Sequence, residues 1–360
     1  MSARPTIAER SATGAVRAPI AGNRWHFQHG PIDLVLEAWG DADECARAYE
    51  QAWKRFETVL PELVSELPLL KSPLSLGERG LGVRGSKRGV RPMAPRRAAR
   101  ALERGHFVGG EPRRHHLFAS NTVFAAPHPL PPLPQGEGEV ARRMIQACAP
   151  LAEVFITPMA AVAGAVADEI VAAMTRGRDL RKAYVNNGGD IALHLAPGER
   201  FETGIVGDLS KPKITARASL AAEDDVRGVA TSGWRGRSFS LGIADSVTVL
   251  ARDAAAADAA ATLIANAVNA EHPGIVRRPA RELDLDSDLG EHPVTVEVGA
   301  LDARTVARAL AGGEGAAEAY RAAGHIVAAY IELGGCRVAV GGAARRAPAS
   351  RRELAWSLRA

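Results

Sequence analysis

The sequence predicts a single α/β domain. Of its 360 residues, 46% are hydrophobic, enough to bury a sizeable core. Strand-like and helix-like segments alternate along the chain, and no repeat of solenoid period occurs. The stretch that fits neither pattern, residues 71–140, reads as an insert, and without it about 290 residues of mixed strand and helix remain.

Residues 1–23 read as a flexible tail and residues 24–70 as the first part of the domain. "RWHFQHGPIDLVLEAWG" is strand, turn at Gly30-Pro31 and strand. "DADECARAYEQAWKRFETVLPELVSELPLL" is a helix with Ala46, Tyr49, Trp53, Phe56 and Leu60 on one face, and Asp41 or Asp43 as N-cap. After the insert, "VARRMIQACAPLAE" restarts a helix, and residues 141–342 complete the domain. "TPMAAVAGAVADEIVAAMTRG" is an alanine-rich helix with Pro158 in its first turn and Gly177 at its stop. Small residues on several of its faces imply close packing. "KAYVNNGGDIALHLAPGERFETGIVGD" is three strands joined by a glycine turn and a Pro197-Gly198 turn, and "ITARASLAA" and "VRGVATSG" extend the β region. "DSVTVLA" is a buried strand and "RDAAAADAAATLIANAVNA" a helix. "HPVTVEVGAL", a helix from Asp302 to Ala323, and "HIVAAYIELGGCRVAVGG" as a hairpin turning at Gly334-Gly335 close the domain. Residues 343–360 read as a basic tail.

The insert explains itself at the level of codons. From Pro73 to Arg91, 17 of 19 residues have a codon whose reverse complement can encode the matching residue read backwards from Gly138 to Ser120. This is the pattern of an inverted repeat translated on both arms, and it resembles mobile palindromic elements of bacterial genomes. Such a segment buries little apolar surface, so it is expected to be disordered. It also holds 12 Lys and Arg against 5 Asp and Glu. The formal net charge is +4, so the chain outside the insert sums to −3. The basic balance therefore gives no support to a specific nucleic-acid partner.

Cys45, Cys148 and Cys336 have no metal or redox spacing and are expected as reduced thiols. No secretory leader is read, and the apolar stretch Pro158 to Met174, with Asp168 and Glu169 inside it, is read as too short to span a bilayer. A cytoplasmic protein without a membrane partner is the expectation. Four histidines, His106, His115, His116 and His128, fall in the insert, and the other six show no ligand spacing.

Three motifs carry candidate chemistry. In "NNGGDI", Gly188 and Gly189 permit positive φ and expose backbone N–H groups to a phosphate or a flavin edge, with Asn187 and Asp190 beside them. The alternative is a plain hairpin turn. In "ATSG", Thr231, Ser232 and Gly233 end a strand and offer hydroxyls to a ligand, or simply form a turn. In "ADAAAT", Asp258 and Thr262 are spaced i, i+4 on one helix face, continued by Asn266 and Asn269. A carboxylate and a hydroxyl suit Mg²⁺, which prefers oxygen ligands and keeps waters. A solvated helix face has the same spacing.

In this order, "AAVAGAVAD", "NNGGDI", "ATSG" and "SVTVLA…ADAAAT" resemble the ApbE family of FAD:protein FMN transferases, and most of all an ApbE-related branch of bacteria and archaea. The resemblance covers roughly Val154 to Asn269. It implies an ApbE-like fold, a flavin nucleotide against the glycine turn, and Mg²⁺ held partly by Asp258 and Thr262. It implies cleavage of the FAD pyrophosphate, transfer of FMN to a threonine of an acceptor protein, and release of AMP. Two departures count against transfer. The family lysine falls at Ala163, and "SFSLGIAD", Ser238 to Asp245, replaces a loop reading "HIIDPRTG". The alternative is a non-catalytic flavin- or nucleotide-binding protein on the same scaffold.

Overall fold

Alternation of apolar side chains builds most of the strands in the computed structural model, which describes residues 8–74, 138–206, 214–342 and 344–346. The strands are β1 Glu9–Arg10, β2 Val16–Ile20, β3 Arg24–His29, β4 Ile32–Gly40, β5 Leu180–Asn187, β6 Asp190–Leu195, β7 Arg200–Val206, β8 Ile214–Ala221, β9 Gly228–Ser232, β10 Ser246–Ala251, β11 Ile275–Pro279, β12 Pro293–Val298, β13 Ala328–Leu333, β14 Cys336–Val340 and β15 Ala344–Arg346. The α-helices are α1 Ala42–Leu70, α2 Glu139–Cys148, α3 Val162–Thr175, α4 Ala254–Ala267, α5 Ala280–Leu283 and α6 Ala303–Ala322. Ten strands form one sheet in the order β1-β2-β3-β4-β5-β6-β9-β10-β13-β14, and every pairing in it is antiparallel. A second sheet runs β15-β8-β7, and β11 pairs with β12. This is the mixed α/β domain that the sequence predicts.

The helices cover one face of the large sheet. Phe27, Leu34 and Leu36 on that face join Phe56 of α1, Ile170 and Met174 of α3 and Ile264 of α4 in one core, all fully buried. A smaller cluster, Leu193, Leu220, Val229 and Leu250, joins the large sheet to the second one. Asp41 is the N-cap of α1, accepting from the Asp43 and Glu44 N–H groups. Tyr49, Trp53 and Phe56 are buried as expected, but Ala46 is exposed and Leu60 only half-buried. Cys45, Ala48, Ala52 and Val59 fill that face instead.

The tail expected over residues 1–23 is corrected from Glu9 onward, because β1 and β2 edge the large sheet. Tertiary contacts hold them. The Arg17 guanidinium, nearly buried, donates to Glu9 and to Glu50 of α1, each at 2.7 Å, and lies 5.3 Å from the Trp25 ring centre and 5.1 Å from that of Trp53. At the other terminus, Ala344–Arg346 pairs with β8, so the expected basic tail begins as a strand.

The insert expected over residues 71–140 lies outside the described residues except at its ends. There, Leu74 N–H donates to Ile156 O at 2.9 Å, Gly138 N–H donates to the Glu66 carboxylate, and Glu139 opens α2. An ion network ties the helices on either side to α3. Arg55 of α1 donates to Glu169 at 2.7 Å, and Arg143 of α2 donates to the same carboxylate at 3.1 Å.

Pro158–Thr175 has a mean hydropathy of 1.3 and, at 18 residues, meets the length of a membrane span, contrary to the expectation that it is too short. It is 61% buried inside the domain as a core helix. Cys45 and Cys148 are buried free thiols and Cys336 is an exposed one.

Candidate functional site

The site is built around the close approach of α3 and α4. Gly164 has no side chain because a Cβ there would overlap the Ala254 carbonyl of α4, with the Ala255 nitrogen 2.8 Å away. The two helix N-termini are capped across this contact by each other's carboxylates. Asp168 of α3 accepts from Ala254 N–H at 3.0 Å and from Ala255 N–H at 2.8 Å. Asp258 of α4 accepts from Gly164 N–H at 3.0 Å, and the Ala163 N–H also faces it. Asp253 takes the Ala256 N–H by its side chain at 2.7 Å and the Ala257 N–H by its carbonyl at 3.1 Å. The N–H groups of the first three residues of α4, Ala254, Ala255 and Ala256, which have no intrahelical partner, are therefore all satisfied by carboxylates. Each carboxylate also faces the positive end of the other helix.

The glycine turn lies next to this crossing. Gly188 (φ +66°) and Gly189 (φ +117°) join β5 to β6 in a two-residue hairpin. Both angles are in the left-handed region, as a type I′ turn requires. Asn186 Oδ1 accepts the Gly189 N–H at 2.8 Å, and Asn187, buried, donates to Ala163 O at 3.1 Å. The turn is thus fastened to the first turn of α3. Asp190 follows it, and its Oδ1 accepts the Thr231 N–H at 3.1 Å.

The two carboxylates at this point oppose one another. Burial pushes the Asp190 carboxyl up to about 7, against the pull of the Thr231 N–H and the Arg237 guanidinium. Burial, and then the Asp190 charge, hold Asp258 well above the ordinary carboxylate range, although the Gly164 and Ala163 N–H groups favour its ionised form. By surface area both residues are half-buried, so the recess they line opens to solvent.

The residues expected from sequence sort into three groups. Asn187, Gly188, Gly189, Asp190 and Asp258 come together at this recess, with Thr262 half-buried one helical turn beyond Asp258. Thr231 and Ser232 lie on β9 beside Asp190; the Thr231 hydroxyl bonds that of Thr248 at 2.8 Å, and Gly233 is buried where a Cβ would meet Asp245 O at 2.6 Å. Asn266 and Asn269, expected to continue the Asp258 stripe, instead fasten a loop. Asn266 Oδ1 accepts from Leu241 N–H at 2.9 Å, and Asn269 Nδ2 donates to Leu241 O at 2.9 Å.

That loop, from Gly233 to Asp245, carries Arg237, which sequence reasoning missed. A Cβ on Gly188 would overlap the Arg237 guanidinium. No periodicity links positions so far apart; only the pairing of β6 with β9 brings them together. Asp168 was legible only as an acid inside an alanine-rich helix. A separate recess, about 860 Å³, opens between Trp25, Trp39, Arg178 and Arg181 at the far end of β5. Its lining wraps both sides of the first turns of α1, and the length of β5, at about 3.3 Å per residue, separates it from the carboxylates. Among the described residues no group of three or more His, Cys, Asp or Glu side chains is arranged to hold a metal.

Comparison with known proteins gives a family. The family described as "AbpE bacteria" matches residues 17–110 and 114–342. A UPF0280 protein of Methanothermobacter thermautotrophicus is 38% identical over 172 residues, covering 45% of this chain and 61% of that protein. A UPF0280 protein of Methanopyrus kandleri is 36% identical over 165 residues, 45% of this chain and 64% of its own length. The chain thus spans less than two thirds of these relatives. Among solved structures, the flavin transferase ApbE from Vibrio cholerae is similar at 16% identity and a TM-score of 0.26, over 52% of this chain and 51% of that one.

Proposed function

The chain belongs to the family described as AbpE bacteria, an ApbE-like branch, and from that premise we propose that the recess at Asp190 and Asp258 binds a flavin nucleotide with Mg²⁺ and acts on its pyrophosphate. The observation that carries the reading is the pair of opposed carboxylates beside a glycine turn. Two carboxyls both pushed up by burial, with the charge of Asp190 adding to the shift of Asp258, are eased by a cation or a proton between them. The donors available are all hard oxygens: Asp258 and Thr262 as ligands, with Asp190 beside them. Mg²⁺ suits such a set, because it is bound through one or two carboxylates and leaves its other positions to water and phosphate. Bound there, it would neutralise charge on a phosphoryl group. The chain's own residues do the rest. Gly188 and Gly189 carry no side chains of their own, which leaves the turn's backbone open to a flat ring or a phosphate.

A second reading, a non-catalytic binder of the same nucleotide, is favoured by Ala163, half-buried beside Asp258 and without a cationic side chain. Transfer of FMN to an acceptor protein is accordingly expected to be weak or absent. The test is incubation of the purified chain with FAD and Mg²⁺, followed by chromatography of nucleotides. The expected result is bound FAD and Mg²⁺-dependent release of AMP, both reduced in Asp190→Asn. Bound FAD without AMP selects the binder, and no binding of FAD by the wild type contradicts both readings.

A further inference from the structure

We propose that Arg237 is the residue that recognises the phosphate of the bound ligand. The inference rests on the nucleotide reading only in naming the ligand; the geometry stands apart from it. Arg237 is exposed and makes no hydrogen bond or ion pair within bonding distance among the described residues. Yet it is not a free surface arginine. Its guanidinium occupies the space where a Cβ of residue 188 would stand, with the guanidinium carbon 3.0 Å from that point. It is also close enough to Asp190 to lower that carboxyl's pKa against burial.

The loop that carries Arg237 is fastened at both ends. Trp234 N–H donates to Ala244 O at 3.0 Å. Asp245 accepts from Gly334 N–H at 2.7 Å and from the Trp234 indole and Arg235 at 3.4 Å. Asn266 and Asn269 hold its middle through Leu241. The fixed base therefore aims an unpaired guanidinium at a side-chain-free turn. A planar fork of donors of this kind matches phosphate oxygens in pairs, and it remains charged at every working pH. Arg237 thereby supplies the cation that Ala163 does not, from a different element of the fold. The Arg237 charge reaches Asp190, but no bond joins the two side chains, which leaves the guanidinium donors for the ligand.

The experiment is calorimetric titration of pyrophosphate, FAD and riboflavin, each with Mg²⁺, into the wild-type chain, Arg237→Ala and Arg237→Lys. The expected result for Arg237→Ala is roughly tenfold weaker binding of pyrophosphate and FAD, with riboflavin, which has no phosphate, unchanged. Arg237→Lys should recover part of the loss. The melting temperature should not move, since the side chain holds no element in place; a merely structural role would lower it and weaken all three probes together. Pyrophosphate binding that depends on Arg237 without any flavin binding upholds this proposal and overturns the flavin reading. Equal pyrophosphate affinity in wild type and Arg237→Ala overturns this proposal and leaves the flavin reading standing. A wild type that binds neither pyrophosphate nor FAD overturns both.

Discussion

Replacing Asp168 by alanine is expected to destabilise the folded chain by about 3 kcal/mol, the sum of a lost helix cap and two buried N–H groups left without acceptors. The Ala254 and Ala255 N–H groups that it serves are enclosed at the α3–α4 crossing, where no other acceptor reaches them. Urea unfolding of the wild type and the variant measures the difference. The same carboxylate predicts a pH dependence. Burial, with the Asp253 charge next, pushes Asp168 up to about 7. A carboxyl whose folded pKa is raised costs the folded state nothing below its unfolded value, near 4. The cost grows as pH rises from there and is complete above about 7. Asp168→Asn removes this titration while keeping one acceptor oxygen. The gap in stability between wild type and Asp168→Asn should therefore shift against the wild type between pH 5 and pH 8. A gap that stays constant over that range would show that Asp168 is ionised throughout.

Gly164→Ala should be nearly as damaging, although alanine is the better helix former by about 1 kcal/mol. The new methyl group would overlap a backbone carbonyl of α4, which cannot rotate aside as a side chain can. Overpacking of this kind costs about 1–3 kcal/mol or more. Forcing the helices apart would also lengthen the bonds of Asp168 and Asp258, so binding at the recess should fall with stability. Gly315→Ala is the matched control. It lies on an exposed face of α6 with no atom within 4 Å of the new carbon, and it should stabilise the chain by roughly 0.5–1 kcal/mol. Thermal melts that rank Gly164→Ala level with Gly315→Ala would contradict the close crossing.

The elements most open to sequence reading were those whose signal is local. β4 alternates buried and half-buried residues along "IDLVLEAWG", and all six residues of β10 are buried as its continuous apolar run implies. Asp41, Gly188-Gly189 and Gly334-Gly335 act as cap and turns where their chemistry placed them. β1 and β2 were not legible, because residues 1–23 carry no long apolar run and the strands are held by Arg17 against acids and indole rings, most of them from other elements. Helical spacing put Asn266 on the face of Asp258, but spacing names a face and not a partner. The partner is a loop from between β9 and β10. Arg237 was invisible for the same reason. The resemblance to the ApbE family brought Asp258 and Asp190 into one argument; the mutual capping of α3 and α4 is a tertiary fact that neither helix carries alone.

If Asp190 and Asp258 face a common cation, removing either carboxylate weakens its binding. Asp190 is the better test position, since Asp258 also caps α3 and its loss would disturb the helix crossing. The most direct measurement is calorimetric titration of Mg²⁺ into the wild-type chain, Asp190→Asn and Thr262→Val. The expected result is saturable Mg²⁺ binding by the wild type that weakens roughly 10–100-fold in each variant, with the folded state retained. Mg²⁺ affinity equal in all three chains, or no Mg²⁺ binding by the wild type, would contradict it.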